Sequence, residues 1–455
     1  MDRPPWRWWL LGVVIAAEVM DLVDTTVMTV AAPSVQRDLG GGPALLQWLT
    51  ASYTLAFGVL LVVGGRLGDR YGRRRLFLVG AVGFTAASAA CALAPGATLL
   101  VAARLAQGGF GALMIPQGLG VLTAVFDDEE RPTAFGTFGP VMGLSAVAGP
   151  VVAGVLTSLD WRFVFLINLP VGLAVIAGAL RWMPRDAPDP AVRLDWLGAA
   201  LVAAGCGLLV HPLIQGPESG WPAWSFALLA GAAVALVGFA WRQRRAAHPI
   251  VVPSLLRSRT YVAGLGTVVV FTSGMGGLML VYGLHLQLDL GASPLVAGLG
   301  TAPVALGIAV SAVATPVLTR RLGRSVLLLG LGVEALGALG LAAVAAAAGG
   351  VPALAGPALV VGLGLGAVFG PLFSTVLSGL RPDEVGSASG SLEAVQQIGT
   401  AVGVAVLGTV YLTTTGSAGL AAAALVVAVL AVPAALCVLA LPAGNSTTTP
   451  QEALA

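Results

Sequence analysis

Three carboxylic acids, Glu18, Asp21 and Asp24, stand three residues apart inside an apolar run that begins near Trp8. At 3.6 residues per turn they drift around roughly a third of a helix. An ionised acid near the middle of a bilayer costs about 2.5–3.5 kcal/mol, and each good apolar residue returns only about 0.3–0.6 kcal/mol. Three acids therefore cancel most of the drive of that run to insert. They must face a polar interior, find partners or hold protons. A carboxyl poised between those states can carry a proton. Acids tied permanently to helix ends or to other spans are the alternative.

Other polar residues sit in equally apolar surroundings. Arg104 is the lone arginine within such a run, so it needs a counter-charge, and Gln107 lies one turn away on nearly the same face. Arg104 is expected near Asp24 or Asp21, where it would tune proton affinity or form a permanent ion pair. Glu393, Gln396 and Gln397 share one helical face, as a further cavity acid with its neighbours or as a polar tie between helices. Glu334 is a buried acid without an evident role. The run Asp127-Asp128-Glu129-Glu130 is acidic enough for a metal, but it precedes Arg131 in a short loop and reads as a solvated turn or gate element. His211, His248 and His285 lie near the ends of apolar runs and form no cluster. Cys91, Cys206 and Cys437 show no metal or redox spacing and read as small buried residues. Gly149, Pro150 and Gly154 mark a kinked helix that permits close packing. A basic loop holds Gly65, Asp69, Arg70, Gly72 and Arg73; a carboxylate among guanidiniums can lock two helix ends and release them when they part.

The elements that must position these groups are membrane spans. Of 455 residues, 57% are hydrophobic and only 10% charged, with a mean hydropathy of +0.93. A soluble chain carries roughly a quarter charged residues. Apolar runs near 8–32, 46–64, 76–94, 98–124, 134–157, 162–183, 194–214, 222–242, 261–285, 294–318, 325–347, 353–378, 386–412 and 419–441 predict fourteen spanning helices. The first run carries acids and is long enough to span, so it is expected to stay rather than be cleaved as a signal peptide. With a cytoplasmic N-terminus, twenty arginines fall on inner segments and two, Arg37 and Arg162, on outer ones. The ten tryptophans all fall at span ends, where an aromatic belt belongs. Arg66-Leu67-Gly68 recurs as Arg321-Leu322-Gly323, and Gly136 and Gly149 match Gly386 and Gly399 at one constant offset. Such a repeat predicts two bundles with a binding site between them. The expected division is 1–185, 186–258 as two inserted helices with their linkers, 259–441, and a disordered polar tail over 442–455.

The string from Gly64 to Arg75 closely resembles the signature loop of the major facilitator superfamily. The stretch from Asp24 to Pro33 resembles the first-span motif of its fourteen-span drug:proton antiporters, with Thr29 at the position of the usual Asn or that Asn absent; Asp21 is an extra acid. Arg104, Gln107 and Gly108 are similar to the family's proton-transfer motif. Gly149-Pro150 and Gly154 resemble the motif that marks antiporters, although Ala153 replaces one of its glycines. The resemblance covers essentially all the spans. It implies an all-α integral membrane protein of the major facilitator fold, two six-helix bundles plus two inserted helices. It implies that Asp69, Arg70 and Arg73 help hold a cytoplasmic gate closed in the outward-facing state, and that the chain exports small amphipathic organic molecules in exchange for protons. Asp24, Asp21, Glu18, Arg104 and Glu393 are then the expected proton-coupling residues. Thr25, Gln107, Gln396 and Gln397 are the few polar groups expected in the substrate cavity. The alternative is a proton-driven importer or metabolite carrier on the same fold. An enzyme or a transporter-like sensor lacks support in the sequence, which has no catalytic triad or metal constellation and only a short tail. No cofactor is expected beyond the proton gradient. The expected partners are a small-molecule substrate, protons and the lipid bilayer, with no nucleic acid, for a monomer in the plasma membrane with both termini cytoplasmic.

Overall fold

The computed structural model describes residues 6–127, 129–378, 380–414 and 416–441. Asp128 and the tail expected to be disordered lie outside them. Every regular element among the described residues is a helix. In chain order these are α1 (Trp6–Leu39), α2 (Ala44–Tyr71), α3 (Arg73–Ala92), α4 (Ala97–Val125), α5 (Arg131–Gly136), α6 (Phe138–Leu159), α7 (Phe163–Leu166), α8 (Asn168–Trp182), α9 (Trp196–Glu218), α10 (Ala223–Arg245), α11 (Pro253–Arg257), α12 (Arg259–Leu284), α13 (Pro294–Leu322), α14 (Ser325–Ala346), α15 (Val351–Leu377), α16 (Pro382–Leu412) and α17 (Ala418–Leu439). Long helices are what a low-dielectric solvent demands, because each backbone N–H and C=O must be satisfied within its own segment.

Local chemistry sets several boundaries. Ser258 and Ser293 cap α12 and α13 by accepting from the Tyr261 and Val296 amides, both at 3.3 Å. Asp195 caps α9, accepting from Gly198 N at 3.0 Å and from Arg242 of α10 at 3.0 Å. Burial works against its charge, yet these donors hold the Asp195 carboxyl below the usual carboxylate range. Gly72 ends α2 at φ 97° and Gly323 ends α13 at φ 54°, conformations that favour glycine. This corrects the register of the repeat. Gly68 lies inside α2 against Gln117, so Gly323 corresponds to Gly72, one turn beyond the sequence match.

Among the described residues, twelve helices are long and apolar enough to cross a membrane, not the fourteen expected. The two that fall short are α1, which carries the three acids, and α6, whose apolar stretch Gly143–Leu159 is shorter. The expected sixth span is present as Phe163–Trp182, in which Ile167 between α7 and α8 keeps helical angles.

Helix pairing repeats along the chain. In the first half α1 packs on α6 and α8, α2 on α4, and α3 on α4 and α8. In the second half α12 packs on α16 and α17, α13 on α15, and α14 on α15 and α17. The halves meet through α2 with α16 and α6 with α13, while α9 leans on α10, α2 and α16. Two glycines bring the halves into close contact. A Cβ on Gly298 of α13 would lie 2.3 Å from the Pro150 carbonyl oxygen of α6, and one on Gly283 of α12 would lie 2.5 Å from that of Thr29 of α1. Both approaches require glycine. Gly386, Gly390, Glu393 and Gln397 share one face of α16. At Gln397 this face touches Gly58 of α2, whereas Gly390 and Gly386 have open space beside them. Gly143 of α6 is likewise open. These three open glycines lie toward the end that carries Arg66–Arg75.

Candidate functional site

Asp24 and Arg104 are brought together, and both are 0% exposed. The Arg104 guanidinium donates to one Asp24 oxygen. Gln107 and Asn168 donate to the other, at 2.7 and 2.8 Å. Ser88 of α3 receives second bonds from the same two amides, at 2.8 and 3.3 Å. Arg104 also donates to the Leu49 carbonyl at 3.2 Å and to Gln107 Oε1 at 2.8 Å. One carboxylate thus ties α1, α3, α4 and α8 into a sealed polar knot, with only donors aimed at it. That arrangement gives the buried Asp24 a counter-charge and two amide donors. Gln107, expected on a cavity wall, is committed to this knot instead, because its amide is the bridge between Asp24 and Ser88. Asn168 begins α8 and Ser88 is one polar residue in an apolar helix. Neither carries a charge that would have marked it in the sequence.

The other acids of α1 have a different setting. Asp21 is 8% exposed and receives the Tyr53 hydroxyl of α2. The Tyr53 ring lies 4.5 Å from the Arg104 guanidinium, a cation–π distance. Tyr53 therefore links Asp21 to the sealed knot. Glu18 is half-buried, with one buried oxygen that has no partner. Glu393 of α16 lies within electrostatic reach of both Glu18 and Asp21. It sits between the open Gly390 and the packed Gln397. Carboxyls from both halves thus lie within electrostatic reach of one another.

The remaining candidates fall outside this centre. Thr25 is half-buried and donates to the Leu22 carbonyl of its own helix at 2.8 Å. Gln396 is half-buried near Glu393, and Gln397 packs on α2. Glu334 is 4% exposed inside the second half, near Gly274 of α12. The signature loop is bound within the first half and to the segment after it. Arg73 pairs with Asp69 at 2.9 Å and donates to the Gly120 carbonyl at 2.6 Å. Arg70 donates to the Val192 carbonyl at 3.1 Å, and the Asp189 amide to that of Asp69 at 3.0 Å. The Gly72 turn lets the Arg73 amide reach Asp186. Gly65 lies beside Pro116 of α4. Gly149 packs against Thr26 of α1, and Gly154 with Pro150 forms the contact with α13. Of the acidic loop, Glu130 is paired with Arg7.

Known proteins resemble the chain in sequence and in fold. It is 49% identical to a probable actinorhodin transporter of Streptomyces coelicolor, over 91% of this chain and 74% of that protein. It is 38% identical to a cephamycin export protein of Amycolatopsis lactamdurans, over 88% and 83%. It is 35% identical to a puromycin resistance protein of Streptomyces alboniger, over 89% and 82%. The crystal structure of an auto-inhibited POT family peptide transporter has the same fold, with a TM-score of 0.69 at 17% identity and 95% coverage of each chain. The sequence signature of the Major Facilitator Superfamily matches residues 14–404. Together with the repeated helix pairing, these matches place the chain in the Major Facilitator Superfamily of membrane transporters.

Proposed function

We propose that this protein is a proton-coupled exporter of small amphipathic organic molecules, with its crevice here open toward the cytoplasm. The observation that carries the reading is that both halves contribute half-buried or buried acids, Glu18 and Asp21 from α1 and Glu393 from α16, within electrostatic reach of one another. Protons and substrate compete for these carboxyls, and whichever is bound decides which side opens. Asp24 and Arg104 hold the charge balance behind them, with Tyr53 as the link. Asp69, Arg70 and Arg73 form the cytoplasmic gate, undocked from the second half in this state. Thr25, Gln396 and Gln397 supply polar contacts in an otherwise apolar cavity. The relatives' activities, probable transport of actinorhodin, export of cephamycin and resistance to puromycin, support export as the direction.

In the same reading α1 and α6 also cross the bilayer, which gives fourteen spans. The pairing pattern supports bundles over 1–185 and 259–441, with α9 and α10 inserted between them. The bias of arginine toward one side supports cytoplasmic termini in the plasma membrane, and the acting unit in this reading is a monomer. No cofactor is needed beyond the proton gradient. At about 150 mV one proton moved inward is worth roughly 3.5 kcal/mol. That sustains about two and a half decades of substrate gradient.

The test is efflux of a panel of dyes and antibiotics from cells making the wild type, Asp24→Asn, Arg104→Ala or Glu393→Gln. Wild-type efflux should stop when an uncoupler dissipates the gradient, and the variants should export poorly. Undiminished gradient-driven efflux by all three removes the coupling assignment. Accumulation of substrate with the gradient would reverse the direction.

A further inference from the structure

The segment between α10 and α11 is held at three points, each by a different part of the molecule. The Arg66 guanidinium of α2 donates to the Ile250 carbonyl at 3.0 Å. The Val251 amide donates to Gln243 of α10 at 3.1 Å. The Ser254 hydroxyl donates to Glu384 at the start of α16, and Arg381 fixes the same carboxylate oxygen at 2.9 Å. Gln243, Ile250, Leu255 and Glu384 are all buried. Between its two anchors, Ile250 and Ser254, the chain can span at most about 14 Å when fully extended. Because α2 and α16 belong to different halves, this short strap crosses from one half to the other.

The opposite end of the inserted pair is tied to the same two helices. Glu218, the last residue of α9, accepts from the Ala44 amide of α2 at 2.6 Å. Pro43 gives α2 no side-chain cap, so this acid supplies one, and a negative charge suits a helix N-terminus. Thr409 of α16 donates to the Leu213 carbonyl of α9 at 3.0 Å and receives Gln47 of α2 at 3.4 Å. The pair itself is joined where Arg242 of α10 bonds Asp195, the cap of α9, at 3.0 Å. The seam between α2 and α16 is therefore bridged at both ends. The other seam, α6 against α13, has no such bridge. Among the described residues the one helix that packs substantially on both α6 and α13 is α1, which belongs to the first half.

We propose that α9, α10 and the strap after them form a brace that limits how far α2 and α16 can separate. An opening between the halves is then wedge-shaped, narrow along the α2–α16 seam and wide along the α6–α13 seam. To part the braced seam, the Ser254–Glu384 bond must break or a strap with little slack must stretch. Hydrogen bonds to a carboxylate are among the stronger ones, so the resistance is concentrated at that edge. The inserted helices thereby steer the movement from outside the two bundles that perform it. The inference rests on the halves moving against each other, not on the direction of transport or on protons.

The experiment measures distances, not transport, so it fails or succeeds independently of the export reading. Spin labels are placed in the full chain carrying Cys437→Ser, reconstituted in lipid nanodiscs. One pair, Tyr71→Cys with Val385→Cys, spans the braced seam. The other, Leu144→Cys with Val310→Cys, spans the free one. All four side chains are exposed. Without further substitution, the distance distribution should be narrow at the first pair and broader at the second. Ser254→Ala removes one hydrogen bond to a carboxylate, so it should raise the longer-distance population at the first pair by about tenfold. The second pair should not respond. Equal spread at the two pairs overturns the brace, and so does a first-pair distribution that Ser254→Ala leaves unchanged. Ser254 is exposed, so the variant should fold; if it does not, Gln243→Leu, which frees the Val251 amide, is read by the same criteria.

Discussion

At the scale of single residues, the Asp24–Arg104 pair has two separable roles. Removing one partner of a buried ion pair typically costs about 3–5 kcal/mol, because the other charge is stranded. Arg104→Ala should therefore lower thermal stability in detergent by about that much. Asp24→Asn combined with Arg104→Gln removes both charges at once, and it should recover most of the stability. If the pair is only structural, the double variant exports normally; we expect it to fold and yet lose gradient-driven efflux. The pairing itself was legible in the sequence, since a lone arginine in an apolar run demands an acid. Its other ligands were not. Ser88, Asn168 and Tyr53 are neutral, and a neutral polar residue in a membrane helix leaves no charge unbalanced to betray it. The same limit applied to Asp289, whose partner Tyr411 comes from a helix more than a hundred residues away, so no local spacing announced the contact.

At the scale of elements, glycine decides where the two halves can touch. Gly298 stands against the Pro150 carbonyl and Gly154 against that of Pro294. Gly298→Val adds bulk where there is none to spare. It should hold α6 off α13, favour the outward-open state and reduce efflux by about tenfold, a shift of roughly 1.4 kcal/mol between states. Labelling of a cysteine at Thr29 from outside should rise in parallel; unchanged labelling would mean that the contact is not a closure. Asp195 gives a contrasting, local prediction. Its carboxyl is held below its usual range, so its contribution is present above about pH 4 and disappears as the pH falls through the folded value. Asp195→Asn should cost about 1–2 kcal/mol of thermal stability at neutral pH. The difference should vanish in acid. The apolar periods placed most of these helices correctly because hydrophobic length is a direct physical requirement. They overcounted the helices that meet that requirement because α1 combines span length with three acids, and they could not see the π turn at His285–Asp289.

For the whole molecule, the decisive property in the proposed reading is that the halves are sealed at one end and splayed at the other. The repeat visible in the sequence foretold two related halves, but a repeat is symmetric and has no preferred state. The state comes from contacts between the halves, such as Gly283 on Thr29, which local patterns do not encode. Two-state transporters hold their minor conformation at about 0.1–10%. If the cytoplasm-facing form predominates, an impermeant thiol reagent should modify Gly390→Cys from the cytoplasmic side at least about tenfold faster than Thr29→Cys from the outside. Gly390 has open space beside it, so the new side chain fits without disturbing α16. Imposing a proton gradient, acid outside, should leave this order intact. Equal rates at the two positions under all conditions would show that the splayed form is not the resting state, and the carboxyls at its apex would then have to be reached from the other side.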